Sequence, residues 1–200
     1  MSLIAWSGGC DSTCLLHQLA TNDAYNSPLR TISINHYACN KQQNILQRHA
    51  RIKILQWFNK RGIEIDHLEV IITSTTVHQK KEDIQIVNDG NMMQPFIWIP
   101  TASMYLQNNE DLYVGYVRGD DIWHYRTQIC DLFNTMKMMT YKHGNLNFFF
   151  EWKRKREVIS ELKKIGLYDL TWYCESPKRK RPCGQCHPCR IHQLTLKELE

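Results

Sequence analysis

Apolar and polar positions follow two different periodicities along the first part of the chain. Short runs of apolar or β-branched residues predict strands, and longer stretches with apolar residues every three or four positions predict helices. The predicted strands are residues 3–6, 29–37 and 63–72. The first predicted helix buries Leu15, Leu16 and Leu19. The second covers residues 42–60 and has apolar positions at Ile45, Ile52, Leu55 and Phe58. This order predicts a parallel sheet with helices on both faces, which binds ligands beyond the carboxyl ends of its strands.

The remainder of the chain continues the same pattern less regularly. Residues 73–91 are polar and aperiodic, which predicts a long loop or a lid over the binding site. A helix is predicted from Pro100 to about residue 107, and Pro95 lies in the segment that precedes it. The later predicted elements are a strand at 112–117, a helix at 122–139, a strand at 146–150 and a basic helix at 153–165 that ends at Gly166. Asp120 and Asp121 follow the predicted strand at 112–117, where acidic residues suit a metal ion or a substrate amine, and a polar loop is the equal alternative.

The sequence Ser7-Gly8-Gly9-Cys10-Asp11-Ser12 lies between the first predicted strand and the first predicted helix. Adjacent glycines let the backbone approach an anion closely, and a helix N-terminus adds unpaired N–H groups and the positive end of its dipole. We therefore expect this loop to bind pyrophosphate. An ordinary βα turn with Ser12 as the N-cap is the alternative that fits the two glycines alone.

Two residues inside this loop need separate explanations. Asp11 repels a phosphate unless Mg²⁺ screens its charge or the loop backbone donates hydrogen bonds to it. Cys10 stands near the helix N-terminus, where the pKa of a thiol falls, so a reactive Cys10 is the alternative to a buried one. The scattered cysteines Cys14, Cys39 and Cys130 are expected to be small buried hydrophobic residues.

Composition places the chain among ordinary globular proteins. It has 200 residues, 42% of them hydrophobic, a net charge of +5, and no apolar run near the ~18 residues that a membrane span needs. The N-terminus lacks the basic-then-apolar layout of a signal peptide, so we expect a cytoplasmic protein with no membrane partner. Two basic clusters, residues 153–156 and 178–181, are most simply solvated faces, and nucleic-acid binding is the alternative for the second.

Four of the eight cysteines stand close together near the C-terminus, as Cys174, Cys183, Cys186 and Cys189. Two-residue spacers let neighbouring thiolates converge on one tetrahedral ion, and nearby glycine and proline favour the turns that this requires. We expect a structural Zn²⁺ with a closed coordination shell, which stabilises a segment with little core of its own. The alternatives are a redox dithiol, a surplus of buried cysteines, and His187 as a ligand in place of one thiolate.

The two ends of the chain together resemble one family, the 7-cyano-7-deazaguanine synthases of the queuosine pathway, over nearly the whole length. The loop at residues 7–12 is similar to the Ser-Gly-Gly-x-Asp-Ser signature of PP-loop ATP pyrophosphatases, and it lacks the ending of a Walker A loop. Residues 114–121 are similar to a family strand that ends in Gly and a substrate-side Asp, and residues 155–159 to a Lys-x-Glu-Ile helix start. Residues 171–174 are similar to a Thr-x-Ser-Cys segment, and the cysteine array contains the Cys-Gly-x-Cys core of the family.

The resemblance implies an α/β fold of the adenine nucleotide alpha hydrolase-like (PP-loop) class. The PP-loop domain is expected at residues 1–170, with a zinc knuckle and a C-terminal helix packed on it at residues 171–200. The implied enzyme is an AMP-forming ligase that converts 7-carboxy-7-deazaguanine, ammonia and ATP into 7-cyano-7-deazaguanine through adenylated intermediates with Mg²⁺. It is expected to form a homodimer and to need no direct contact with nucleic acid.

The resemblance also implies roles for individual residues. The expected catalytic residues are Ser7, Asp11, Ser12 and Lys155, and ATP is expected to bind Ser7, Gly8, Gly9, Cys10, Asp11 and Ser12. Asp120 or Asp121 is expected to pair with the deazaguanine ring, and Arg126 with the substrate carboxylate.

The chain departs from the family pattern mainly on the substrate side. Tyr37-Ala38-Cys39 replaces Tyr-Gly-Gln, residues 98–101 replace an Arg-Asn pair, and residues 124–126 are a remnant of a Pro-Asp-Cys-Arg stretch. One alternative is therefore a diverged enzyme that stops at 7-amido-7-deazaguanine, or that thiolates a tRNA base with Cys39 or Cys130 as sulfur carrier. The other alternative is a non-catalytic zinc module that binds nucleic acid.

Overall fold

The computed structural model describes residues 2–22, 29–36, 41–72 and 90–199. These residues form strands and helices in an alternating order, with two short 3₁₀ helices. The strands are β1 (Ser2–Ala5), β2 (Leu29–His36), β3 (Ile65–Ile72), β4 (Asp111–Val114) and β5 (Leu146–Phe148). The α-helices are α1 (Cys10–Ala20), α2 (Lys41–Asn59), α3 (Gly90–Met104), α4 (Arg126–Met139), α5 (Lys155–Ile165) and α6 (His187–Lys197), and the 3₁₀ helices are Asp121–Tyr125 and Tyr168–Leu170.

The strands form one parallel five-stranded sheet in the order β3-β2-β1-β4-β5. Strand β1 lies at its centre, where Ile4 is in register with Thr31 of β2 on one side and with Tyr113 of β4 on the other. The chain therefore leaves β1 towards one edge and returns to β4 beside it. A crevice opens at such a switch point beyond the carboxyl ends of the strands, and this is where sheets of this class bind ligands.

Helices cover both faces of the sheet, as the alternating order predicts. Leu15 and Leu16 of α1 share one core with Phe58 of α2 and Leu162 of α5. Ile99 of α3 packs with α4 and the strands in a second core on the opposite face. Both cores are almost fully buried, so the sheet and the ends of its strands form a rigid base for a site.

Helix α2 is confirmed, and Leu55 and Phe58 pack on the core as predicted, but the other two predicted apolar positions do not. Ile45 and Ile52 are each 45% exposed, whereas Gln43 and Arg51 are buried together with Phe58. Polar residues take the inner positions because that side of α2 contacts the loop after β1, as described below.

Helix α3 begins ten residues before the predicted start at Pro100 and contains both Pro95 and Pro100. Each interior proline removes a backbone hydrogen bond at a cost of about 3 kcal/mol. Burial of Ile99 and Ala102 on the sheet offsets this cost. Most of the predicted loop at residues 73–91 lies outside the described residues, and its last two positions are the first turn of α3.

Three other boundaries differ in ways that matter for the site. Strand β4 ends at Val114, so the backbone of Gly115 and the residues after it leaves the sheet. The predicted helix at 122–139 starts as a 3₁₀ turn and becomes α-helical at Arg126. Helix α5 starts at Lys155, where the Glu157 side chain accepts the Arg154 N–H at 2.6 Å.

Candidate active site and metal centre

The loop between β1 and α1 is held in shape by its own serines. The Ser7 hydroxyl oxygen accepts the N–H of Gly9 at 3.1 Å, and the Ser12 hydroxyl oxygen accepts the N–H of Ser7 at 3.2 Å. Gly9, and not Ser12, is the N-cap of α1, and no side chain caps the helix. The N–H groups of the first turn are therefore available to an anionic ligand at the loop.

Gly8 and Arg51 show why this loop passes so close to α2. Gly8 has a φ of +85°, and a Cβ atom there would lie 2.9 Å from Cγ of Arg51. The buried guanidinium of Arg51 donates to the carbonyl oxygen of Ser7 at 3.1 Å and to Glu69 of β3 at 2.8 Å. Arg51 thus holds the loop against α2 and β3 through these two hydrogen bonds. The sequence prediction missed it, although an arginine among the apolar positions of α2 was the signal.

Glu69 positions the guanidinium of Arg51 that holds the loop. Burial raises the pKa of the Glu69 carboxyl, but the Asn35 amide, which donates at 2.6 Å, and the Arg51 guanidinium outweigh it and hold that pKa below its usual value. Glu69 consequently keeps its negative charge and continues to position Arg51.

Lys155, the first residue of α5, forms a salt bridge with Asp11 of the loop. Burial lowers the pKa of Lys155, but the charge of Asp11 outweighs it and raises that pKa above its usual value. Oδ1 of Asp11 is buried and has no hydrogen-bond partner among the residues that the structure describes. The ion pair therefore offers a fixed cation beside a buried carboxylate oxygen whose hydrogen-bonding capacity is unused within the described residues.

The backbone beyond β4 meets the start of α1. Gly115 lies so close that a Cβ atom there would be 3.0 Å from the carbonyl carbon and oxygen of Asp11. Further along, Asp120 accepts the N–H of Val117 at 2.8 Å. Burial, and then the charge of Asp11, raise the pKa of Asp120 to about 6. Two carboxylates that interact in this way form an arrangement that a divalent cation relieves.

These elements surround a cavity of about 510 Å³, a volume that suits a nucleotide-sized ligand. Its polar wall combines loop residues, Lys155 and the segment after β4. The rest of its lining is mixed and includes four large aromatic residues, which are Trp98, Tyr116, Trp172 and Tyr173. At the level of sequence these residues lie only within segments compared with the family and have no assigned role, because nothing in their spacing distinguishes a cavity wall from a core.

The segment that leads to the cysteines contacts the loop directly. The N–H of Trp172 donates to the carbonyl oxygen of Gly8 at 3.0 Å. The ring of Tyr173 stacks on His192 of α6, with 3.6 Å between centroids. The C-terminal part of the chain therefore forms one wall of the cavity and also supports the loop.

Cys10 lines the same cavity, with Sγ 3.2 Å from the hydroxyl of Thr171. Burial raises the pKa of this thiol, which is the opposite of the lowering considered for a reactive cysteine at a helix N-terminus. Desolvation outweighs the attraction of Lys155. The structure therefore favours a neutral Cys10 that packs against the segment after α5.

Four cysteines converge in the C-terminal segment. The Sγ atoms of Cys174, Cys183, Cys186 and Cys189 lie within 4.8 Å of one another. The N–H of Cys183 donates to Sγ of Cys174 at 3.2 Å, and hydrogen bonds from the N–H groups of Gln185 and Cys186 lower the pKa of Cys183 to about 6. This group can hold a metal ion. His187 is not part of it and lines the cavity instead.

The structure brings most of the predicted site residues together, with one clear exception. The ones that line the cavity are Ser7, Gly9, Cys10, Asp11, Asp120, Asp121 and Lys155. Gly8 and Ser12 belong to the same loop but do not line the cavity. Arg126 does not line the cavity, because it pairs with Glu151 and lies over the rings of Trp123 and Phe148. The 3₁₀ turn before α4 orients it in this way, and the prediction that it meets the substrate carboxylate finds no support in its position.

Comparison with known proteins agrees with this geometry. A family model described as queuosine biosynthesis protein QueC matches residues 1–200. The chain belongs to the QueC family. This confirms the resemblance to 7-cyano-7-deazaguanine synthases drawn from the sequence. No curated protein matches the sequence.

Solved structures support the fold of this QueC-family chain. Matching chains include the U34-tRNA thiolase NcsA from Methanococcus maripaludis with its [4Fe-4S] cluster, with a TM-score of 0.57 and 16% identity. The match covers 98% of the present chain and 66% of the thiolase chain. At this identity the likeness shows a shared fold and does not transfer the chemistry of the thiolase.

The family match places the chain in queuosine biosynthesis, and its four C-terminal cysteines form a group that can hold a metal ion. Within the described ranges, every helix is too short or too polar to cross a membrane.

Proposed function

We propose that this QueC-family enzyme converts 7-carboxy-7-deazaguanine and ammonia into 7-cyano-7-deazaguanine, and that it cleaves two ATP molecules between the α and β phosphates. The observation that carries the proposal is the Lys155–Asp11 pair, which lies in one cavity with the loop and Asp120. That cavity combines groups suited to phosphates with aromatic walls suited to a flat heterocycle.

The chemistry explains why two ATP molecules are needed. A carboxylate is a poor electrophile, so its oxygen first attacks the α phosphorus of ATP and expels pyrophosphate, which leaves an acyl adenylate. Ammonia adds to the acyl carbon, AMP departs and a proton is lost, which gives the amide. The amide oxygen then attacks a second ATP with loss of pyrophosphate. When the C–O bond breaks, AMP leaves, the nitrogen loses its protons and the nitrile remains.

On the ATP side, the loop N–H groups and Lys155 balance the charge that develops on pyrophosphate as it leaves. The carboxylate of Asp11 fits Mg²⁺, since its Oδ1 is buried and has no hydrogen-bond partner among the described residues. Mg²⁺, when bound, supplies positive charge to the phosphate oxygens. Asp11 would hold it while Lys155 stays beside the same phosphates.

On the substrate side, the aromatic walls sandwich or flank the deazaguanine ring. Asp120 and Asp121 accept hydrogen bonds from the ring N–H and the exocyclic amine, which are donors on a guanine-like edge. Burial of Asp120 strengthens such a bond because little water competes for it. Trp98, which stands where the family has a polar pair, provides an apolar surface in this cavity.

The cysteine group is proposed to hold Zn²⁺. A tetrahedral Zn²⁺ with Zn–S bonds near 2.3 Å separates its sulfur ligands by about 3.8 Å. The observed Sγ separations of 3.9 Å for Cys183–Cys189 and 4.0 Å for Cys174–Cys186 fit a single ion. Sulfurs that each bind a different iron of a cubane cluster must lie farther apart. Zn²⁺ would stabilise residues 171–200 as a knuckle packed on the domain of residues 1–170.

The test is turnover by the purified protein with ATP, 7-carboxy-7-deazaguanine and ammonia. We expect AMP and pyrophosphate at two per product, and a product with the mass of the nitrile. A product that stays at the amide supports the shorter reaction instead. Recovery of the unchanged acid contradicts the proposal. No specific observation favours thiolation, because Cys130 does not line the cavity and Cys39 lies outside the described residues.

A further inference from the structure

A basic hairpin stands between two of the metal-binding cysteines. Its tip carries four consecutive cations, Lys178, Arg179, Lys180 and Arg181. Lys178 and Arg181 exchange two backbone hydrogen bonds, of 2.9 and 3.0 Å, across a two-residue turn. At the base, the bond from the Cys183 N–H to Cys174 closes the hairpin. The cations therefore sit on a closed turn above the cysteine group.

The residues at the tip are unfavourable for the turn that they form. Arg179 and Lys180 have φ values of 48° and 66°, and non-glycine residues in this region cost about 1–2 kcal/mol each. A two-residue turn with positive φ at both centres is best made by Asn-Gly. Strain of this kind persists where a side chain is needed for another purpose.

Electrostatics disfavour the same residues. All four cations are exposed, and like charges on adjacent residues repel one another. None of the salt bridges within the described ranges includes any of them. A partner with closely spaced negative charges relieves this repulsion. A solvated face, in contrast, needs neither four consecutive cations nor a strained turn.

The hairpin also has a defined position relative to the active site. Glu175, the first residue after Cys174, lines the cavity, as does His187 just beyond Cys186. The hairpin thus begins at the cavity wall, and its exposed basic tip starts three residues after Glu175. A polyanion bound at the tip lies beside the site of the chemistry.

We propose that the hairpin formed by residues 175–182 binds the phosphate backbone of nucleic acid. A membrane surface fits less well, because membrane-binding segments combine basic residues with exposed large apolar ones, and the tip is flanked only by serine and proline. A pre-formed turn loses little conformational entropy on binding, which suits a repeating phosphate chain. This inference goes beyond the proposed function, since the conversion of a free base requires no nucleic acid.

The experiment measures binding of fluorescently labelled single-stranded RNA, transfer RNA and duplex DNA to the full-length protein over a range of KCl concentrations. For single strands we expect log K to fall against log salt with a slope of about −3, as four phosphate contacts require. Binding of RNA above DNA, or the reverse, identifies the nucleic acid, and either result supports the phosphate contacts.

The informative variant is Arg179→Asn with Lys180→Gly, which removes two charges and keeps the turn. We expect about half of the salt slope, at least about tenfold weaker binding, and a Tm that is unchanged or raised. The matched control is Lys53→Gln with Lys60→Gln, two exposed lysines in or next to α2. It removes the same charge and should change binding less than about twofold.

Three results would overturn the inference. They are no binding by the unmodified protein at low salt, equal losses in the two double variants, and binding to vesicles of anionic lipid with no binding to nucleic acid. Pyrophosphate release with the free deazaguanine acid is measured on every variant and should stay unchanged. Failure of nucleic-acid binding is in this way separated from failure of the proposed enzymatic function.

Discussion

The backbone N–H of Trp172 donates a hydrogen bond to the carbonyl oxygen of Gly8, with 3.0 Å between the two atoms. Trp172 stands two residues before Cys174 of the four-cysteine group, and Gly8 belongs to the loop that is proposed to bind phosphate. The indole N–H of Trp172 also donates to the carbonyl oxygen of Cys174 at 2.8 Å. The cysteine-containing segment and the loop between β1 and α1 are therefore joined through Trp172.

Loss of the metal should weaken ATP binding, although none of the four cysteines lines the cavity. We expect Cys186→Ser to lower the Tm by roughly 10 °C and to raise the Kd for a non-hydrolysable ATP analogue at least about tenfold. Calorimetric titration and metal analysis of the same samples check this. Cys130→Ser, on α4 and outside both sites, is the control and should keep both values. Unchanged ATP affinity in metal-free protein would show that the loop is independent of the knuckle.

Lys155 should be required for ATP cleavage. In Lys155→Gln, Asp11 and Asp120 lose the cation that balances them, and the departing pyrophosphate loses a charged partner. We expect kcat/KM for pyrophosphate release to fall by about 10²–10³. Arg156→Gln, an exposed neighbour on the same helix, should have nearly normal activity. A loss of less than threefold in Lys155→Gln (roughly 0.6 kcal/mol) would exclude a role at the phosphates.

Asp120 should make the ligand-free protein less stable as pH rises. Its pKa is about 6 in the folded protein and near the ordinary 3.8 when unfolded, so between these values the folded protein binds more protons. Stability from this group is fully present below pH 3.8 and is lost as pH rises through about 6. Asp120→Asn keeps an acceptor for the Val117 N–H and should be more stable than the unmodified protein by up to about 3 kcal/mol near pH 8.

Thermal melts of Asp120→Asn across this pH range, without ATP or divalent cations, test the effect. The difference from the unmodified protein should disappear near pH 4 (roughly the ordinary carboxyl pKa). Asp121→Asn, an exposed carboxylate at the next position, should show no such trend. A stabilisation by Asp120→Asn that is equal at both ends of the range would contradict the assigned cause.

Gly115→Ala should damage the site with little effect elsewhere. The added methyl group would meet the backbone of Asp11 at 3.0 Å, and both partners are main chain, so α1 or the segment after β4 must move. We expect ATP affinity to fall at least about tenfold, since a phosphate site depends on close positioning of its donors. Gly62→Ala has a positive φ but nothing within 4 Å. It should cost about 1 kcal/mol of stability and leave ATP affinity unchanged.

The parts of the site that the sequence predicted are those in which neighbouring residues act together. The loop at residues 7–12 and the array from Cys174 to Cys189 are contiguous, so local spacing alone indicates their geometry. Lys155 entered through family resemblance, and its contact with Asp11 spans 144 positions. No periodicity reveals such a pair.

Polar residues with structural roles were the main source of error. Arg51 and Gln43 occupy buried positions of α2 because they contact the loop and the cavity. Ile45 and Ile52 are therefore exposed, although Phe58 is buried as predicted. Arg126 pairs with Glu151 and does not line the cavity, so its contact with the substrate carboxylate stays a prediction.

The order of strands in the sheet has a consequence for folding. Strand β1 pairs with β4, although α1, β2, α2, β3 and α3 lie between them in the chain. The crevice at their carboxyl ends cannot exist until this long-range pairing has formed, and pairings of this kind form late because closing a long loop costs entropy. ATP should therefore bind only to molecules that have completed the central sheet. By mass action it then draws partly folded chains towards the native state, so the nucleotide acts on this protein as a folding ligand as well as a reactant.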